Sequence, residues 1–270
     1  MAGIRDLLLL GRGDLFRAFL EASAGLFRLP PREETATSEL QRRFAASAAR
    51  CGLGGDPCIS RASISWSKEP PQLVFAANCT TVIPLLSSAQ SGQELSWNGI
   101  RMDYSPPWPL PLLLTADALA IYRALFAYFF TVERAAAALD ETWKHLMTQR
   151  RASRRGDRTA AARDACSLLQ RMVHFVRQVQ IYLKRDVVQG AFLAFEEEVA
   201  AATTFMQVQA AHGRMSSQLK HQSLLTAPAV CEKLQGALQQ CSLFCWCAHL
   251  LRLETVSAGR VPCNQTPQHI

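Results

Sequence analysis

The sequence predicts a mainly α protein, an elongated helical bundle with a small insertion of short strands and irregular structure. Three observations predict it. From Thr115 to Leu251 apolar residues recur at alternating spacings of four and three, the period of one helix face. Between Cys51 and Pro107 that period is lost, and Gly, Pro, Ser and Asn become frequent. The 270 residues are 49% hydrophobic and 19% charged, a balance that can bury a sizeable core.

The first element, over residues 4–29, is helical but interrupted. Gly11 and Gly13 would each cost about 1 kcal/mol inside a helix. Asp14 is placed to N-cap the second segment, whose apolar side is Leu15, Phe16, Phe19 and Leu20. Pro30-Pro31 ends it. Another helix is expected over residues 37–50. Alternating runs at 59–66 and 100–104 read as short strands, and 87–92 as an exposed loop.

Thr115 is the expected N-cap of the longest helix, with Asp117 favouring the dipole from the first turn. Its stripe is Val132, Ala136, Leu139, Trp143 and Leu146. A second stripe runs Leu168, Met172, Phe175, Val179 and Tyr182, and a third Val188, Phe192, Phe195 and Val199. A fourth runs Val230, Leu234, Ala237, Cys241, Phe244, Ala248 and Leu251. Burying each large side chain contributes roughly 1.5–3 kcal/mol. Helices of this length with short connections imply a bundle. The period ends near Thr255, and Gly259, Pro262 and Pro267 mark a loose tail. The chain thus divides into a helical segment at 1–50, an irregular region at 51–114, a helical bundle at 115–254 and a disordered tail at 255–270.

Charge and cysteine usage narrow the setting. Twenty-nine basic against 22 acidic side chains give a net charge of +7, which favours acidic partners. The apolar run Leu7 to Leu10 is shorter than the roughly 7–15 residues of a secretory leader. No stretch reaches the roughly 20 apolar residues of a membrane span. The richest, 108–130, is broken by Pro109, Pro111, Asp117 and Arg123, so no membrane partner is expected. Nine cysteines, an odd number without a framework spacing, read as reduced thiols in a cytosolic protein. In that setting Arg12-Gly13-Asp14 is no adhesion ligand; it reads as a hinge between apolar helical segments.

Candidate chemistry is sparse. Arg150, Arg151, Arg154, Arg155, Arg158 and Arg163 form a basic cluster, either a phosphate or acidic-protein contact or a solvated loop. No aromatic residues interleave it to stack bases. Cys241 and Cys245 lie one turn apart, but a structural zinc site needs four ligands and Cys247 faces elsewhere. Core packing is the better account of them, and no metal is expected. Gly52-Leu53-Gly54-Gly55 lacks the Lys-Ser/Thr of a phosphate loop. No nucleophile elbow or zinc-protease motif occurs. The chain reads as non-enzymatic and cofactor-free.

Several segments together resemble the C-terminal half of the gamma-tubulin complex component family. "LLLLGRGDLFRAFLE" is similar to its L-L-G-R/K-G-D/E-x-F segment. "MDYSPPWPLPLLLT" resembles its L-x-Y-x-V-x-W-P-L-x-I-L segment, with Ser105-Pro106-Pro107 where the family has a strand former. "MVHFVRQVQIYLKRDVV" resembles its M-x-x-F-V-x-x-L-Q-Y-Y helix, and "AAHGRMSSQLKHQSLL" its H-x-x-F-L-x-x-L segment. The resemblance covers residues 4–253 and is nearest to the shortest paralogue. By this resemblance the chain is expected to lack the family's N-terminal domain and the helices that follow the one ending near residue 251.

The resemblance implies a gamma-tubulin-binding scaffold that supports microtubule nucleation. Its implied location is the cytoplasm and cytoskeleton, at a microtubule-organising centre (centrosome or spindle pole). Gamma-tubulin and other gamma-tubulin complex components are the implied partners, and no nucleic acid is expected. The expected contact surface is the outer face of the helix at 115–146 and of 174–185. Arg123, Arg134, Lys144, His174, Gln178 and Arg185 are the candidate contacts. Gly11, Gly13, Asp14, Trp108, Pro109, Tyr122, Phe126, Trp143, Phe175 and Tyr182 fall on the family's motifs and are expected to set the fold. The alternatives are a helical adaptor that no longer binds gamma-tubulin and an Arg-rich nucleic-acid binder.

Overall fold

A π-helical turn, Ile4–Leu8, opens the described part of the chain and buries Ile4, Leu7 and Leu8. The computed structural model describes residues 3–68, 97–152 and 160–258. The loop expected at 87–92, the arginines at 154, 155 and 158, and the tail from 259 lie outside those residues.

Leu10 takes φ +56°, and the chain turns there into α1 (Gly13–Phe27). A side chain at Gly11 would meet the Arg5 carbonyl oxygen at 2.8 Å, so the turn admits only glycine without a backbone shift. The expected cap is corrected here. Helix α1 starts one residue before Asp14, at Gly13, so the carboxylate sits inside the first turn and not at the N-cap, which is Arg12. It accepts two hydrogen bonds from the Arg12 guanidinium, at 3.0 and 2.8 Å. That contact draws its pKa down to about 2.

Helix α2 (Ala36–Arg50) packs on α1 and on a two-stranded sheet. A short α3 (Pro57–Ser60), capped by Asp56, takes up the start of the run expected as strand. Strands β1 (Ala62–Trp66) and β2 (Ile100–Tyr104) are antiparallel, with Ala62 opposite Tyr104 and Trp66 opposite Ile100. Alternation decides the faces: Ala62, Ile64, Trp66, Ile100, Met102 and Tyr104 point into the core. The free edge of β1 is covered by α2. Gln41 Oε1 accepts from the Ile64 N–H at 2.9 Å, and Thr37 Oγ1 from the Trp66 N–H at 3.1 Å. A Cβ at Gly99 would lie 1.7 Å from the Ser67 carbonyl oxygen, so the chain re-enters the sheet only as glycine.

Helix α4 (Ala116–Ala152) is the axis of the fold. Thr115 Oγ1 accepts from the Ala118 N–H at 3.3 Å, as its cap position requires. It packs against α1, against β2, and against the helices that follow. Its middle is therefore buried on every side, from Ala124 to Phe130. Helix α5 (Ala160–Ile181) returns along it. A π-helical stretch, Tyr182–Gln189, continues without a break into α6 (Gly190–Ala201). Thr204 and Gln207 form a reciprocal capping box at the start of α7 (Phe205–Gln222). Helix α8 (Pro228–Ala258) then lies back against α4 and runs past the point where the apolar period fades. One contiguous core extends from Ile4 to Cys241, so the architecture is mainly α with one small sheet.

The α5 stripe is rotated from its expected position, whereas on α8 Leu234 and Cys241 are buried as expected and the departure is at its start. On α5 the inward residues are Leu169, Val176 and, beyond its end, Leu183, while Leu168 and Phe175 are exposed. On α8 Cys231 and Leu238 are buried in place of Val230.

Candidate partner-binding surface

The six candidate contacts are not brought to one place. Arg123 of α4 pairs with Asp103 of β2 at 2.5 Å, tying the helix to the sheet. Arg134 turns inward, which overturns its expected place on an outer face. Its Nη1 donates to the Trp97 carbonyl at 2.7 Å and its Nη2 to Asn98 Oδ1 at 2.6 Å. The guanidinium lies 5.9 Å over the Phe27 ring. Burial lowers its pKa to about 10. Arg134 thus clamps the loop that enters β2. Sequence period could not reveal this, because its acceptors are a backbone carbonyl and an amide more than thirty residues away.

Lys144 is exposed near the far end of α4. His174, Gln178 and Arg185 share one outward face, together with Phe175 and Ile181, which are 40% and 50% exposed. This face combines apolar area with cationic groups. Among the described residues neither Arg171 nor Arg185 on it forms an ion pair, whereas Arg177 and Lys184 on the inner side pair with Asp140 and Glu133 of α4.

The family-motif residues divide. Tyr122 and Phe126 are fully buried, and Trp143 packs partly buried against the core. Tyr182 Oη donates to the Gln222 carbonyl at 2.7 Å and pins the start of the π-helical stretch to the end of α7. Gly13 has open space around its Cα. Trp108, followed by a cis bond to exposed Pro109, is 76% exposed, so it does not set the fold by core packing. Phe175 likewise supplies surface, not core.

His212 is a buried group that composition did not single out. Its Nε2 lies 2.9 Å from Tyr122 Oη, with Phe195 edge-on to its ring. Burial holds the Tyr122 hydroxyl protonated, so it donates and the imidazole accepts as the neutral base. Burial also lowers the His212 pKa. The unfolded chain then binds the extra proton, and stability is complete above about pH 6.5 and declines as pH falls below it. Urea midpoints between pH 7.5 and 5 are expected to show this decline, with a shallower slope in His212→Gln. An equal slope in both proteins refutes the assignment.

The cysteines of α8 are separate groups. Cys241 is buried, Cys245 is pushed up to about 11 by burial, and Cys247 is exposed. No group of three or more His, Cys, Asp or Glu among the described residues could hold a metal. No described helix is long and apolar enough to cross a membrane.

Among the described residues the fold is a mainly α helical bundle, with one long axial helix, a small sheet and mixed apolar–cationic outer faces. The sequence model for the gamma tubulin complex component C-terminal region matches residues 1–267, and the chain belongs to that family. It is 27% identical over 263 residues to gamma-tubulin complex component 4 of Arabidopsis thaliana, covering 91% of this chain and 35% of the relative. Against the Medicago truncatula homolog of component 4 the identity is 26%, covering 91% of this chain and 36% of the relative. With the human component 4 it is 26%, covering 90% and 36%. The chain therefore spans about a third of the length of these relatives.

Proposed function

We propose that this chain is a gamma-tubulin-binding scaffold of the gamma-tubulin complex. In this reading it acts without catalysis, supports microtubule nucleation at a microtubule-organising centre and contacts other complex components. The observation that carries it, in a chain of this family, is the outer face of α5 and its continuation. His174, Gln178 and Arg185 surround exposed Phe175 and Ile181 there. Apolar area supplies affinity, and cations steer an acidic partner. Binding of the purified chain to purified gamma-tubulin tests it. Phe175→Asp with Arg185→Glu is expected to weaken the complex at least about tenfold while leaving the fold intact. A folded chain that does not bind at low ionic strength overturns the reading.

A further inference from the structure

A second surface lies across α4 from that face. Helices α1 and α8 flank α4 without closing over it, and a groove of about 1080 Å³ runs between them. Its floor is Ala136, Ala137 and Ala138 of α4, side chains small enough for another backbone to approach closely. Leu20 and Phe27 of α1 form one wall, and Trp246 of α8 the other. Trp246 is 54% exposed, although α8 carries no charged residue from Leu234 to His249. An uncharged wall with a half-exposed tryptophan is costly to leave in water. A helix about 10 Å across would fill the groove over roughly two and a half turns.

The charges at the rim decide what kind of helix fits. All five carboxylates lining the groove are already neutralised. Asp14 pairs with Arg12, Glu21 with Arg17, and Glu141 with Arg28. Glu133 pairs with Lys184 and Asp140 with Arg177. Two lining cations remain that form no ion pair among the described residues: Arg134, held only by neutral oxygens, and Lys144. With Arg12 and Arg177 outside the lining counted as partners of its carboxylates, the surplus around the small-residue floor is positive.

We propose that this groove is a docking site for an amphipathic helix of a protein partner, with small apolar residues facing Ala136–Ala138 and a carboxylate reaching Lys144. This is helix-in-groove recognition, with the cation fixing orientation. It does not depend on gamma-tubulin binding through α5, and the two surfaces are separable by mutation.

The probe is a stapled, fluorescein-labelled amphipathic peptide of roughly three turns, Ala and Leu on one face and Glu on the other. A matched peptide with Lys in place of Glu is the control. Fluorescence anisotropy with the full chain is expected to show binding of the acidic peptide and at least about tenfold weaker binding of the basic one. Lys144→Glu, at an exposed position that leaves the fold intact, is expected to weaken the acidic peptide at least about tenfold. Ala137→Trp fills the floor and is expected to abolish binding, while Phe175→Asp on the α5 face leaves it unchanged. Failure of the acidic peptide to bind overturns the proposal. So does equal binding of both peptides, or affinity unaffected by Lys144→Glu.

Discussion

Phe126→Ala is expected to destabilise the protein by about 3–5 kcal/mol, the range for a fully buried phenylalanine cut to alanine. Phe126 has no exposed surface. It stacks on Phe130 with ring centroids 5.5 Å apart and lies 6.1 Å from Phe16 of α1. Phe130 in turn meets Phe19 at 6.0 Å and Phe27 at 6.5 Å. Phe126 thus joins the axial helix to the aromatic face of α1. Its removal costs the transfer energy of the ring and the dispersion contacts of its neighbours. The cavity collapses little, because α1 is held at its start by the tight turn at Leu10 and Gly11 and along its length by Phe44 of α2. Against a total stability of about 5–15 kcal/mol, such a loss moves the urea midpoint far with an unchanged slope. A loss below about 1 kcal/mol would show that α1 and α4 are not packed through this ring.

Much of this packing was legible in the sequence, for a definite reason. Thr115 caps α4, and Ile64 and Met102 point inward, because a cap side chain and strand alternation are local consequences of residue type. What escaped is decided at a distance. Asp14 looked like a cap, yet Gly13 starts the helix and Arg12 takes the carboxylate. Arg134 looked like an exposed cation, yet the loop entering β2 brings it the Trp97 carbonyl. Trp108 stands just before a cis bond within a proline-rich entry, and its side chain is left exposed. The groove is legible only afterwards, in the alanines at 135–138 and in the uncharged length of α8. Neither feature states which elements will face each other.

Val176→Asp is expected to cost about 4–7 kcal/mol at neutral pH, while Phe175→Asp costs less than about 1 kcal/mol. The contrast tests how α5 is rotated. Apolar spacing alone permits two registers, since Leu168 and Leu169, Phe175 and Val176, and Tyr182 and Leu183 are adjacent apolar pairs at heptad intervals. Ion pairs with α4 resolve the choice. Glu133 and Asp140 stand seven residues apart on α4, and Arg177 and Lys184 seven apart on the returning chain. Glu133 pairs with Lys184 at 2.7 Å and Asp140 with Arg177 at 3.0 Å, the crossed order required of antiparallel neighbours. With positions 177 and 184 at the edge of the interface, 176 and 183 fall inside it and 175 turns outward. Val176 and Leu183 are accordingly buried, and Phe175 is 40% exposed. A carboxylate at 176 would have no water and no cation on the core side. It would raise its pKa by about 3–5 units, so that at neutral pH it is held largely protonated at a cost of about 4 kcal/mol, and the lost burial of the valine side chain adds up to about 3. At 175 it would be solvated, with only a half-exposed ring lost. Urea unfolding of the two variants side by side decides it: if Phe175→Asp is the more damaging, α5 is rotated by about 100°, and the face assigned to gamma-tubulin is the buried one.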